Sequence, residues 1–81
     1  MLRTYAGRQS LSTPETGPLA VVIRGVEHST SRVRTSSIAA SLRFAQVGML
    51  TSQQVAAIIA ARLEDVSGAV RRASVAALGH L

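Results

Sequence analysis

The chain has no cysteine, no lysine and no tryptophan, and only one phenylalanine and one tyrosine. Without cysteine it can form no disulfide and offers no thiolate for catalysis or metal binding. Without aromatic side chains in number it lacks the platforms on which single-stranded bases stack. Carboxylates are scarce too: Glu15, Glu27, Glu64 and Asp65 stand against nine arginines, for a net charge of +5. No apolar run approaches the roughly 18 residues that a membrane-spanning helix requires. The longest runs, "LAVVI" at 19–23 and "VAAIIAA" at 55–61, each have an arginine next to them.

What is present is small and aliphatic. Hydrophobic residues make up 47% of the 81 positions, dominated by Ala, Val, Ile and Leu. Such side chains suit helices that approach one another closely. The length allows one small domain. Guanidinium groups, the only cationic side chains besides histidine, favour bidentate contact with carboxylates and phosphates. An acidic protein, a nucleic acid backbone and an anionic membrane surface are therefore all compatible with the charge.

Residues 1–14, "MLRTYAGRQSLSTP", contain Arg3 and Arg8 and no acidic residue. This composition fits a basic N-terminal arm, and equally a mitochondrial transit-like segment. The compartment stays open between mitochondrial and cytoplasmic. "TPETGP" at 13–18 marks the boundary, with two Pro-containing helix-start patterns. Residues 18–26, "PLAVVIRGV", read alone as either a short helix or a strand, because "AVVI" is β-branched. The polar turn at 27–32 offers three hydroxyl residues as caps for the next helix.

A helix is predicted over 33–50. Its expected faces are Val33, Ser37, Ala40, Phe44 and Val47, and Ile38, Leu42, Ala45 and Met49, with Gly48 as terminator. Thr51 and Gln54 form a capping box. It leads into a helix at 54–63 that should present Val55, Ile58, Ile59 and Leu63 together. "EDVSG" at 64–68 is a second turn, before a last helix from Ala69.

The two halves of the chain echo each other. Displaced by 37 positions, Val33-Arg34 falls on Val70-Arg71, Glu27 on Glu64, Ser37 on Ser74 and Ala39-Ala40 on Ala76-Ala77. "AVVI" falls on "AIIA", inside a clearer helix, which resolves 18–26 as helical. The expected architecture is all-α, with two helix pairs at about 15–51 and 52–81, a period typical of stacked helical repeats.

In the second unit, Asp65, Val70, Arg71, Ala73, Ala77, Leu78 and Gly79 resemble the later half of a HEAT repeat, most strongly over 52–81. In the first unit, Val33 and Arg34 keep the pattern, while His28 stands where Asp65 would fall. The resemblance implies a HEAT-like α-solenoid fragment. It further implies that Arg71 reaches the carboxylate of Asp65 or one in an adjacent repeat. Arg34 would then be left with Glu27.

The chain carries few groups arranged for chemistry. Glu64 and Asp65 are neighbours in a turn and point apart, unlike the acid and base of a hydrolase, which flank a bond. His28 and His80 lack the company of a metal site. There is no nucleophile elbow and no glycine-rich phosphate loop. The reading is non-enzymatic, with no cofactor. An apolar final turn without a polar cap should stack against another copy, a neighbouring subunit or further repeats. Candidate partner contacts are Arg3, Arg8, Arg32, Arg43, Arg72, Leu78 and Leu81. The expected function is a scaffold or accessory subunit. The alternative is a nucleic-acid module using an arginine-lined edge.

Overall fold

A computed structural model describes residues 17–81, which are all-helical. The segment 1–14, with Arg3 and Arg8, and the helix-start pattern around Pro14 lie outside the described residues. Four helices follow in order: α1 (Pro18–Val26), α2 (Ser31–Gln46), α3 (Ser52–Ala60) and α4 (Gly68–Gly79). The β-branched "AVVI" is helical as the repeat implied, with Pro18 at the first turn and Ala20, Val22 and Val26 buried. At that position proline loses no helical hydrogen bond, because the first-turn amides have no intrahelical partner anyway.

The helix ends differ from expectation in instructive ways. Thr30 takes the N-cap position of α2, but its hydroxyl makes no capping bond. Instead its own amide donates to Nδ1 of His28 at 3.0 Å. The helix stops at Gln46, short of residue 50. Gly48 reverses the chain with φ 82°, and the amide of Met49 returns to the carbonyl of Phe44 at 2.8 Å. This is the left-handed closure that glycine permits. Val47 and Met49 are consequently exposed rather than on a buried face, while Leu50 turns inward.

The capping box of α3 forms as predicted. Gln54 N–H donates to Thr51 Oγ1 at 3.0 Å and Thr51 N–H to Gln54 Oε1 at 2.9 Å. Helix α3 ends at Ala60, where bonds of three-residue span tighten the chain: Arg62 N–H to Ile59 O and Leu63 N–H to Ala60 O. This tightening carries Leu63 out of the face that Val55 and Ile59 bury.

Helix α2 lies at the centre, packed on α1 along one side and on α4 along the other, with α3 against both α2 and α4. Val22, Val26, Ile38, Leu50, Val55, Ile59, Val70 and Ala77 form the core, and Phe44, Ala73 and Leu78 pack against it. Each fully buried Val or Ile contributes about 1.5–3 kcal/mol relative to exposure. Two serines are buried as well. Ser41 Oγ donates to Ile38 O at 2.7 Å and Ser74 Oγ to Val70 O at 2.8 Å. Both hydroxyls are thereby satisfied within their own helices. The α1–α2 contact is tight at Gly25, where a built Cβ would lie 2.7 Å from Ser37 Cβ and overlap Ser37 Oγ.

Candidate interaction face and the arginine–aspartate junction

The two polar turns, after α1 and after α3, lie side by side and are tied by one buried ion pair. Arg34 Nε donates to Asp65 Oδ2 at 2.8 Å and Arg34 Nη2 to Asp65 Oδ1 at 2.9 Å. The side chains are 10% and 3% exposed. Nη1 of Arg34 completes the set by donating to the carbonyls of His28 and Ser29 at 2.8 and 3.1 Å. Such parallel N–H···O bonds between charged groups are short and directional.

Arg34 therefore does not turn to Glu27, as expected from the first unit alone. Its partner is the aspartate of the second unit. Arg71 also departs from expectation, since its Nη1 donates to the backbone carbonyl of Asp65 at 2.7 Å, not to the carboxylate. The carboxylate is already taken by Arg34, and its Oδ1 further accepts the Ser67 amide at 2.9 Å. The Arg34 hydrogen bonds and then the Ser67 amide hold the Asp65 carboxyl below its ordinary value, against the opposing effect of desolvation.

The repeat seen in the sequence recurs in these bonds. Arg34 Nη1 to His28 O and Arg71 Nη1 to Asp65 O both reach back six residues. Thr30 N–H to His28 Nδ1 matches Ser67 N–H to Asp65 Oδ1, each across two residues. An imidazole nitrogen in the first turn does the local work that a carboxylate oxygen does in the second.

Burial breaks the symmetry. Ile38 is 1% exposed and its counterpart Val75 is 63% exposed; Val26 is 4% exposed and its counterpart Leu63 is 37%. Arg34 is buried, whereas Arg71 is exposed. In each pair the first residue is buried and the second is exposed. Leu63, Arg71 and Val75 are thus exposed where their counterparts are buried. Arg71 and Arg72 flank a shallow groove of about 340 Å³ that runs over Val75 and Ala76.

The sequence-derived contacts separate accordingly. Leu81 is 39% exposed, but Leu78 packs partly into the core. Val33 is half-buried and Val70 fully buried in front of their arginines. Arg32 and Arg43 are exposed on α2, where Ala69 and His80 are their repeat counterparts, and Arg72 corresponds to Thr35. Positive charge outside the Arg34/Arg71 pair therefore does not recur at the repeat spacing. Sequence reasoning missed Leu63 and Val75 as surface features, although the displacement by 37 already paired them with Val26 and Ile38.

Among the described residues no group of three or more His, Asp or Glu side chains is placed to hold a metal ion. No described helix is long and apolar enough to cross a membrane. Comparison with protein-family models, curated proteins and solved structures found no match for this chain.

Proposed function

We propose that the chain is a non-enzymatic scaffold or accessory module of two HEAT-like helix pairs, mediating protein–protein interaction within a larger assembly. The observation that carries this reading is the contrast between Ile38, 1% exposed under the second unit, and Val75, 63% exposed at the equivalent place. A helix face that is core in one unit and bare in the next has the composition of an interior surface. The resemblance of 52–81 to a HEAT repeat supports the same reading, because such units stack through this kind of face. The nucleic-acid alternative draws less support. Arg34 is committed to Asp65, and Arg32 and Arg43 have no arginine counterparts in the second unit.

The test is site-specific photocrosslinking in the source cells, from probes placed at Val75 and at Leu63. Val47, exposed at 69% just past the end of α2, serves as the control. Discrete protein adducts from Val75 and Leu63 but not Val47 are expected. Nucleic-acid adducts, paired with affinity for duplex that falls steeply with salt, would favour the alternative. Absence of any adduct would refute the interaction reading.

A further inference from the structure

We propose that the cleft between α2 and α4 receives an acidic amphipathic helix of a partner protein. Its aliphatic side chains seat between the two helices, and its Asp or Glu residues meet the surrounding arginines. This rests on the interaction reading and names the chemistry of the partner at one site.

The cleft has a volume of about 240 Å³. Ile38, Ala39 and Leu42 of α2 line one wall, and Ala73, Ala76 and Ala77 of α4 the other. Ile38 and Ala77 are buried at its floor, while Ala39 and Ala76 are exposed. Alanines on both sides let a third helix lie close along the pair. Ala76 also belongs to the groove over Val75, so the apolar surface continues across α4. Walls that follow two helix axes match anchors spaced at three and four residues on an incoming helix.

Charge selects the partner. Helices α2 and α4 contain no Asp or Glu. The carboxylate side chains among the described residues, Glu27, Glu64 and Asp65, all lie at the turns, around a separate cavity. Arg32, Arg43 and Arg72 stand three or four positions from the cleft residues Thr35, Ala39 and Ala76, the spacing of neighbours on a helix surface. Each of these arginines is exposed and has no ion-pair partner among the described residues. An apolar floor bordered by positive charge alone is complementary to an apolar stripe bordered by negative charge.

Other occupants fit less well. Phosphates of a nucleic acid would lose water against the alanine walls and gain no hydrogen bond there. A bilayer surface takes up apolar side chains that project from a protein, whereas these are recessed between helices. Residues 1–16 of the chain carry Arg3 and Arg8 against Glu15 alone, so they bring no surplus of negative charge. A second copy offers Glu27 and Glu64 in turns, not beside the apolar stripe of a helix.

The experiment titrates the 81-residue chain into labelled peptides of about four helical turns, with leucine at alternating three- and four-residue spacing. The remaining positions are Glu in one peptide, Gln in a second and Lys in a third. Fluorescence anisotropy reads affinity, and amide chemical shifts locate the site. The Glu peptide should bind about tenfold tighter than the Gln peptide, with the Lys peptide weakest and shifts concentrated at 38–42 and 73–77. Ala76→Asp, and separately Arg43→Glu with Arg72→Glu, should each weaken the Glu peptide by about tenfold. All three positions are exposed, so the circular dichroism spectrum should be unchanged.

Equal binding of the Glu and Gln peptides, or shifts elsewhere on the chain, would overturn the proposal. So would tighter binding to duplex DNA or to phosphatidylserine vesicles than to the Glu peptide. Self-association in sedimentation that Ala76→Asp abolishes would overturn it in favour of a second copy. Protein adducts in cells from Val75 and Leu63, without preference for the Glu peptide, would leave the interaction reading standing and sink this one alone. With neither adducts nor peptide binding, both fall.

Discussion

Replacing Gly25 by alanine sets two measurable effects against each other. Within a helix, Gly→Ala should stabilise by about 1 kcal/mol through backbone entropy alone. The structure opposes this, because the added Cβ would stand 2.7 Å from Ser37 Cβ and overlap Ser37 Oγ. Carbon atoms rest about 3.5–4.0 Å apart, so α1 and α2 would have to separate by about 1 Å. A rotamer change of Ser37 can move its Oγ but not its Cβ. Overpacking of this kind costs about 1–3 kcal/mol. The net mid-range outcome is a loss of about 1 kcal/mol, or a melting temperature lower by about 4–8 °C in a domain of this size.

Ser37→Gly supplies the control. Alone it should destabilise slightly, by about 0.5 kcal/mol of helix propensity. Combined with Gly25→Ala it restores the room the methyl group needs, so in that background it should raise the melting temperature. Four chains melted by far-ultraviolet circular dichroism complete the cycle. A Gly25→Ala chain that melts above the parent would refute the packing argument. So would a Ser37→Gly effect of the same sign in both backgrounds.

Further expectations concern the junction, the α2 stop and the buried serines. The Asp65 carboxyl is held below its ordinary value of 3.8, so its stabilising contribution is complete above that pH. It is lost as pH falls through the lower folded-state value. In urea titrations Asp65→Asn should therefore be less stable than the parent at neutral pH, with the gap closing below 3.8; a pH-independent gap would contradict the assignment. Gly48→Ala meets no atom within 4 Å but must adopt φ 82°, and should lose about 1–2 kcal/mol in the urea-derived stability. Ser74→Leu should lose about 1–3 kcal/mol by crowding the buried crossing. Ser74→Ala removes only an internal helix bond and should change stability by less than about 1 kcal/mol, measured the same way.

Features encoded by neighbouring residues were legible in the sequence. Thr51 and Gln54 cap α3 because the capping box needs only a three-residue spacing. Gly48 ends α2 because a left-handed residue is locally cheap only for glycine. The helical state of "AVVI" was ambiguous by propensity and became clear only through its repeat partner. The partner of Arg34 was not legible within the first unit, since Glu27 is near in sequence while Asp65 is 31 residues away. A signal did exist. His28 occupies the aspartate position of its own turn, leaving Asp65 as the carboxylate in register with it. Val47 and Met49 were placed on helical faces because the periodicity continues past the point where Gly48 stops the helix. The near-contact of Gly25 with Ser37 left no pattern at all, because it depends on how two helices cross.

The cross-links between the turns also bear on folding order. Arg62 Nη1 donates to Val26 O at 3.0 Å, across 36 residues, and so completes the C-terminal end of α1 from within the second unit. The Arg34–Asp65 pair runs the other way, from the second helix of the first unit to the second turn. Each half thus contributes a group that finishes the other. Helical repeats coupled only through apolar contact can fray from one end. Here, loosening residues 61–65 releases the α1 terminus and uncovers Arg34 in the same event. Amides of the two turns should then exchange through a single opening with one shared free energy. The rate-limiting step in folding would be the meeting of two turns 37 positions apart, not the formation of any single helix.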